Sequence, residues 1–171
     1  MKKPLHRRIM NRLLGRMASN LPGATSLRPI LHRLRGVRIT GKVFIGDEVY
    51  VENEYPECIE LHEGAQICLR SVLIAHTRGP GQIVIEKDVF VGAGCILIAS
   101  PGQTLTIGEG AVIMAATVVS SSVAAHTLFG SEKGKPLARA TVPLAMETLY
   151  TEFLAGIQPM KRPTSKAEKR R

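Results

Sequence analysis

Between Ile39 and Val123 an aliphatic residue recurs at intervals of six, followed four places later by a small or β-branched residue. Neither the 3.6-residue period of an amphipathic helix nor the alternation of a half-buried strand has this spacing. Residues 85–96 read IEKDVFVGAGCI and residues 107–124 read IGEGAVIMAATVVSSSVA. Ile85, Val91, Ile107, Ile113 and Val119 therefore share one role, and Val89, Cys95, Ala111, Thr117 and Val123 share another. A hexapeptide period predicts an all-β solenoid, a parallel β-helix in which each unit forms one short flat strand and three units complete a coil.

The register extends upstream and defines about four coils. Their anchors are Ile39, Ile45 and Val51; Leu61, Ile67 and Leu73; Ile85, Val91 and Leu97; and Ile107, Ile113 and Val119. The step is six within each set but ten, twelve and ten between sets, so the surplus always follows the third strand. Stacked coils then push the segments NEYPEC, AHTRGPGQ and ASPGQT out of one corner as neighbouring loops, the usual place for function on a rigid scaffold. Glu54, His76 and Ser100 each lie three places past a third anchor. Neighbouring coils are about 4.8 Å apart, so this alignment predicts a histidine between a carboxylate and a hydroxyl.

Flanking segments follow a different period. Residues 1–36 form a basic helical arm: Leu5, Ile9, Leu13 and Met17, with Met10 and Leu14 beside them, line one side, and Arg7, Arg8, Arg12 and Arg16 lie elsewhere. Asn20 and Pro22-Gly23 end this helix, and a second runs from a Ser26 cap through Leu31 and Leu34 to a stop at Gly36. The prism is expected over 37–142. A C-terminal helix over 143–158 follows, opened by Pro143 and carrying Met146, Leu149, Tyr150, Phe153, Leu154 and Ile157, and 159–171 reads as a basic disordered tail.

Composition fits this picture. Four Phe, three Tyr and no Trp suit a narrow interior that admits mainly Ile, Leu, Val, Ala and Cys. Cys58, Cys68 and Cys95 have no metal-ligand spacing, and an odd count argues against a disulfide framework, so a reducing, cytoplasmic setting is expected. Cys95 falls in an inward small-residue slot and reads as a core hydrophobe. Residues 1–40 hold ten Lys or Arg and no acid, whereas the body from 41 to 160 holds seven bases against thirteen acids. The arms rather than the prism are therefore placed to meet an anionic partner. For residues 1–20 two compatible roles follow, peripheral contact with an anionic membrane or covering of the open first coil. No segment is apolar for long enough to span a bilayer. Nucleic acid is disfavoured, because no aromatic residues interleave with the arginines.

The runs IEKDVFVGAGCI, IGEGAVIMAATVVSSSVAAHTLFG and GKPLAR resemble the hexapeptide-repeat, left-handed parallel β-helix acyltransferases over residues 37–139, closest in flavour to small sugar and polysaccharide O-acetyltransferases. The resemblance implies a left-handed crossover, an exception to the usual handedness of parallel strands. It also implies a homotrimer with sites between prisms, and acetyl-CoA as co-substrate with no metal. On the same grounds the acceptor is a sugar or glycan hydroxyl in cell-envelope polysaccharide or lipid-linked oligosaccharide assembly. His76, in LIAHTRGPGQIVIEKDVFVGAG, takes the place of the family's general base, a task suited to a side chain with an ordinary pKa of about 6.5. Glu54 is the stacking candidate to hold its tautomer, with Asn53 second. Gly92, Ala93, Gly94, Ala115 and Ala116 fall where the coenzyme approaches, and Lys135 and Arg139 where its nucleotide phosphates lie. Met114 replaces a usual glycine, His62 replaces another, and SEKGKPLAR is longer than the usual turn. Two other functions fit the same fold. A zinc hydratase needs three histidines, whereas the prism offers His62 and His76 at unequal offsets. A non-catalytic scaffold or partner subunit would dispense with both the loop histidine and the GKPLAR ending.

Overall fold

The computed structural model describes residues 3–132 and 138–159, and these fall into two compact units that divide between Ser131 and Glu132. In the first unit the hexapeptide period produces a left-handed parallel β-helix of about four coils, with three parallel sheets as its faces. One face stacks Arg38–Ile39, Ile59–Leu61, Gln82–Ile85 and Thr104–Ile107. The second stacks Phe44–Ile45, Gln66–Ile67, Phe90–Val91, Val112–Ile113 and Leu128–Phe129, and the third Tyr50–Val51, Val72–Ile74, Ile96–Ile98 and Val118–Val119.

The anchors read from the sequence are the residues in register. Ile39, Leu61, Ile85 and Ile107 align on the first face. Ile45, Ile67, Val91 and Ile113 align on the second, and Val51, Leu73, Leu97 and Val119 on the third. All but Ile39 are buried, as are Val89, Cys95, Ala111, Thr117 and Val123. Every second residue on a strand points inward and each coil contributes the same slots. A step of six therefore builds one continuous apolar column. Cys95 belongs to that column, its Sγ 3.0 Å from the Met114 carbonyl oxygen, and burial pushes the thiol pKa up.

Two helices, α1 (Leu5–Asn20) and α2 (Leu27–Arg35), precede the prism. Gly36 ends α2 in the left-handed region at φ 109°, and its N–H bonds to the Arg33 carbonyl. The first coil would otherwise expose a strand edge, and the arm covers it with hydrogen bonds. Ile45 N–H donates to Ala24 O (2.8 Å) and Glu48 N–H to Ser19 O (3.0 Å). Edge carbonyls receive guanidinium donors: Ile45 O from Arg28, Ile39 and Gly41 O from Arg33, and Val51 and Glu52 O from Arg35. Much of the arm's arginine content is thus a cap on the solenoid.

The helical stripe of α1 faces the other way. Its inward residues are Asn11, Gly15 and Ala18, while Leu5 (69 % exposed), Ile9, Met10, Leu13 and Met17 face out. The surface beneath is polar backbone, which explains the choice of face: Asn11 donates to Asn53 O at 3.0 Å. A Cβ on Gly15 would lie 2.9 Å from the Arg35 guanidinium carbon, so only glycine permits this approach.

In the second unit Ala138–Ala140 pairs antiparallel with Ile157–Pro159. The helix expected over 143–158 is confined to α3 (Tyr150–Ala155). Ala145 and Thr148 form a turn instead, with Thr148 N–H donating to Ala145 O (3.1 Å) and Ala145 N–H to the Thr148 hydroxyl (3.3 Å). Thr141 then donates to Gly156 O through N–H and hydroxyl, at 2.9 and 2.8 Å, which returns the chain to the ladder. The last prism strand ends at Phe129, so the prism stops short of residue 142. Lys135 and residues 160–171 of the expected tail lie outside the described residues.

Candidate active site

The three insertions leave one corner and are hydrogen-bonded to each other. Glu52 at the root of the first accepts from Ala75 N–H of the second at 2.7 Å. The second meets the third through Gln82 N–H to Gln103 O (2.9 Å) and Gly102 N–H to Pro80 O (2.9 Å). A Cβ on Gly81 would fall 2.5 Å from Ser100 O, so glycine is required for that contact.

His76 opens the second loop, in a bridge with Pro80. Its ring lies 4.5 Å from that of Tyr55, centroid to centroid, tilted by 41°. Lys3 sits over the same tyrosine at 5.1 Å and pairs with Glu57 at 2.5 Å. His76, Asn53 and Glu54 line one cleft of about 270 Å³ together with Arg12, Tyr50 and Glu52. The predicted residues are brought together, but their hydrogen bonds run elsewhere. Both carboxylate oxygens of Glu54 accept from Arg8, at 3.0 to 3.2 Å, and Arg12 stands 3.8 Å away. These cations hold the Glu54 carboxyl below its usual range. Asn53 Oδ1 accepts from Arg35 at 2.8 Å. Ser100 lines a different, smaller cleft with Gln103 and Ser120–Ser122. The second insertion is two residues longer than the third, so equal offsets do not bring His76 and Ser100 into one cleft.

Sequence reasoning missed three contributors: Glu52, Tyr55 and Arg12. Glu52 is buried at the root of its loop, and it accepts N–H donors from Tyr55 (3.0 Å) and Ala75 (2.7 Å). Burial pushes its carboxyl pKa up, opposed by those donors and by the nearby His76. It reads in sequence as one more member of an acidic strip. Nothing in the hexapeptide register marks Tyr55 as a ring partner. Arg12 comes from α1, whose face could not be chosen from its apolar stripe.

The candidate coenzyme residues lie at another corner, after the second strand, separated from His76 by the width of the third face. Gly94 (φ 68°) and Ala116 (φ 57°) stack there in the left-handed region with Glu48 and Arg70. Gly94, Ala115 and Ala116 are exposed, and a Cβ on Gly94 would meet no atom within 4 Å. Small, open positions of this kind fit close approach of a pantetheine chain. Gly92 differs: it is buried, and a Cβ there would lie 2.6 Å from Ala115 N, so its size serves coil stacking. Ala93 accepts from Ala116 N–H at 2.8 Å, so its carbonyl is committed to that stack. Arg139 lies in the second unit, on Ala138–Ala140.

Among the described residues of the first unit, exposed apolar side chains gather on two surfaces. On the second face the outward residues Phe44, Phe90, Val112 and Leu128 stand in one row, interrupted by Gln66. On the arm lies the apolar side of α1, with Ile30 and Leu34 of α2 also exposed. Among the described residues no helix is long and apolar enough to cross a membrane. No family model, no curated protein and no solved structure matches this chain.

Proposed function

We propose that this chain is an acetyl-CoA-dependent O-acetyltransferase of the hexapeptide-repeat kind, acting on a sugar hydroxyl in cell-envelope polysaccharide or lipid-linked oligosaccharide assembly. The observation that carries the reading is His76. It lines a polar cleft on a left-handed β-helix, its ring against Tyr55 and the N–H of the preceding Ala75 held by Glu52.

His76 takes the proton of the acceptor hydroxyl as that oxygen attacks the acetyl carbonyl. A C–O bond forms, the C–S bond breaks, and the proton passes from the imidazole to the departing thiolate. Within one chain the small residues at 94, 115 and 116 are a face away from His76, so a neighbouring copy completes the site. The row Phe44, Phe90, Val112 and Leu128 is the apolar surface such a homotrimer would cover. The outward stripe of α1, next to Arg12 and Arg16, suits peripheral contact with an anionic bilayer at the cytoplasmic face.

The test is release of CoA thiol from acetyl-CoA in the presence of a panel of sugar acceptors. His76→Ala should lower the rate about 10²- to 10⁴-fold with little change in acetyl-CoA affinity. A variant as fast as the wild type removes His76 from the chemistry. Removal of residues 1–20 should abolish co-sedimentation with anionic vesicles, and unchanged sedimentation defeats the membrane contact.

A further inference from the structure

A second, larger cleft of about 410 Å³ adjoins the His76 cleft and shares Arg12, Tyr50 and Asn53 with it. It runs between α1 and the first coil, and three arginines line it, Arg12, Arg16 and Arg35, with no Asp or Glu. Most arginines of the arm are committed. Arg8 is held by Glu54 and Arg28 by Asp47, Arg33 by Ile39 and Gly41 carbonyls, and Arg38 by Glu60. Arg16 has no side-chain hydrogen bond or ion pair among the described residues. Arg12 has only Glu54 at 3.8 Å, a single carboxylate whose two oxygens Arg8 already occupies.

Arg35 is the deepest of the three, at 1 % exposure. Its acceptors are the carbonyls of Val51 and Glu52, Asn53 Oδ1 and a ring nitrogen of His32, none of them a carboxylate. Its Nε has no partner. A buried guanidinium lacking a direct counter-ion is costly, and burial lowers its pKa to about 10. Guanidinium groups match planar oxyanions and phosphoryl groups in fork geometry.

We propose that this cleft is a phosphoryl-binding subsite, so that the acceptor is a phosphorylated or pyrophosphate-linked sugar. The identity of the group attached to the phosphoryl rests on the transferase reading; the anion site itself does not. A phosphoryl group between Arg12, Arg16 and Arg35 lies one cleft away from His76. An acceptor anchored there presents a sugar hydroxyl to the base.

The probe is inorganic pyrophosphate, titrated calorimetrically into the full chain with and without saturating CoA. Wild type should bind it with or without CoA. Arg12→Ala and Arg16→Ala should each weaken binding about tenfold, the scale of one charge-assisted hydrogen bond, while Lys87→Ala should leave it unchanged. Arg12 and Arg16 are exposed, so these variants should fold normally, which circular dichroism checks. A uridine diphosphate sugar and an isoprenyl pyrophosphate are then run as competitors. Displacement by either supports the site, and the stronger names the source of the pyrophosphate. Absent binding, binding indifferent to Arg12 and Arg16, or binding abolished by CoA overturns the proposal, the last because the cleft would then hold coenzyme phosphates. Pyrophosphate binding by a chain that does not bind acetyl-CoA would leave the anion site standing and defeat the transferase reading alone.

Discussion

Glu52 offers a sharp perturbation because one buried carboxylate holds two loops. It accepts N–H donors from Tyr55 on its own loop and from Ala75 on the next. Glu52→Ala strands these donors in a largely buried corner. Hydrogen bonds to a charged group are worth about 1.5–3 kcal/mol each, so the two amount to about 3–6 kcal/mol. Against this stands the cost of keeping the carboxylate buried, which is why its pKa is raised. The net loss should be about 3 kcal/mol. Glu52→Gln keeps one acceptor oxygen and turns an NH₂ toward a donor, so its loss should be about 2 kcal/mol. The raised folded pKa means that this group's own titration favours folding below its unfolded pKa. That contribution is lost as pH rises through the folded value, so Glu52 is no source of acid lability. Solenoids open locally, so the assay is amide hydrogen exchange at 55 and 75 together with a urea midpoint. Acetyl transfer should fall through kcat, with acetyl-CoA affinity retained. Wild-type protection at 55 and 75 in Glu52→Ala would refute the reasoning.

Further outcomes follow from the capping network and the loops. His32 is buried and beside Arg35, and desolvation, then that charge, lower its pKa to about 3. A depressed histidine gives stability that is full above the unfolded pKa of about 6.5 and is lost below it. Acidification from pH 7.5 to 5 should therefore cost about 2 kcal/mol, read from urea midpoints. His32→Asn should flatten that slope; an equally steep slope counts against a buried neutral His32. Arg35→Met should cost about 3–5 kcal/mol, because buried carbonyls at Val51 and Glu52 lose their donor, and a loss under 1 kcal/mol would speak against arginine capping. Gly81→Ala should displace the 75–81 loop from Ser100 and lower kcat more than stability. Unchanged turnover would mean that His76 does not depend on the stacked loops.

The prism was legible because every coil repeats the same steric slot, so one period fixes strands, register and the corner where insertions leave. Val51, Leu73, Leu97 and Val119 were alignable by counting alone. The ends of α1 and α2 were legible at Asn20 and Gly36 for a similar local reason. The inward face of α1 was not, since its apolar stripe turns outward and its Asn11–Gly15–Ala18 face meets backbone carbonyls that no hydropathy pattern reports. The C-terminal helix was overdrawn because a 3.6-residue stripe carries no sign of the Ala145–Thr148 turn. In the site, equal offsets grouped Glu54, His76 and Ser100; the first two share a cleft, with Asn53 beside them, and Ser100 lines another. Counting could not assign the partners of Glu54 and Asn53: Arg8 and Arg35 reach that corner from elements 18 to 46 residues away in sequence.

The central claim is tested most directly by titrating acetyl-CoA into wild type and His76→Ala side by side in a calorimeter. The account predicts micromolar binding to both, on the scale of about −8 kcal/mol, with turnover confined to the wild type. Absence of binding to either protein would contradict it and leave the β-helix a scaffold.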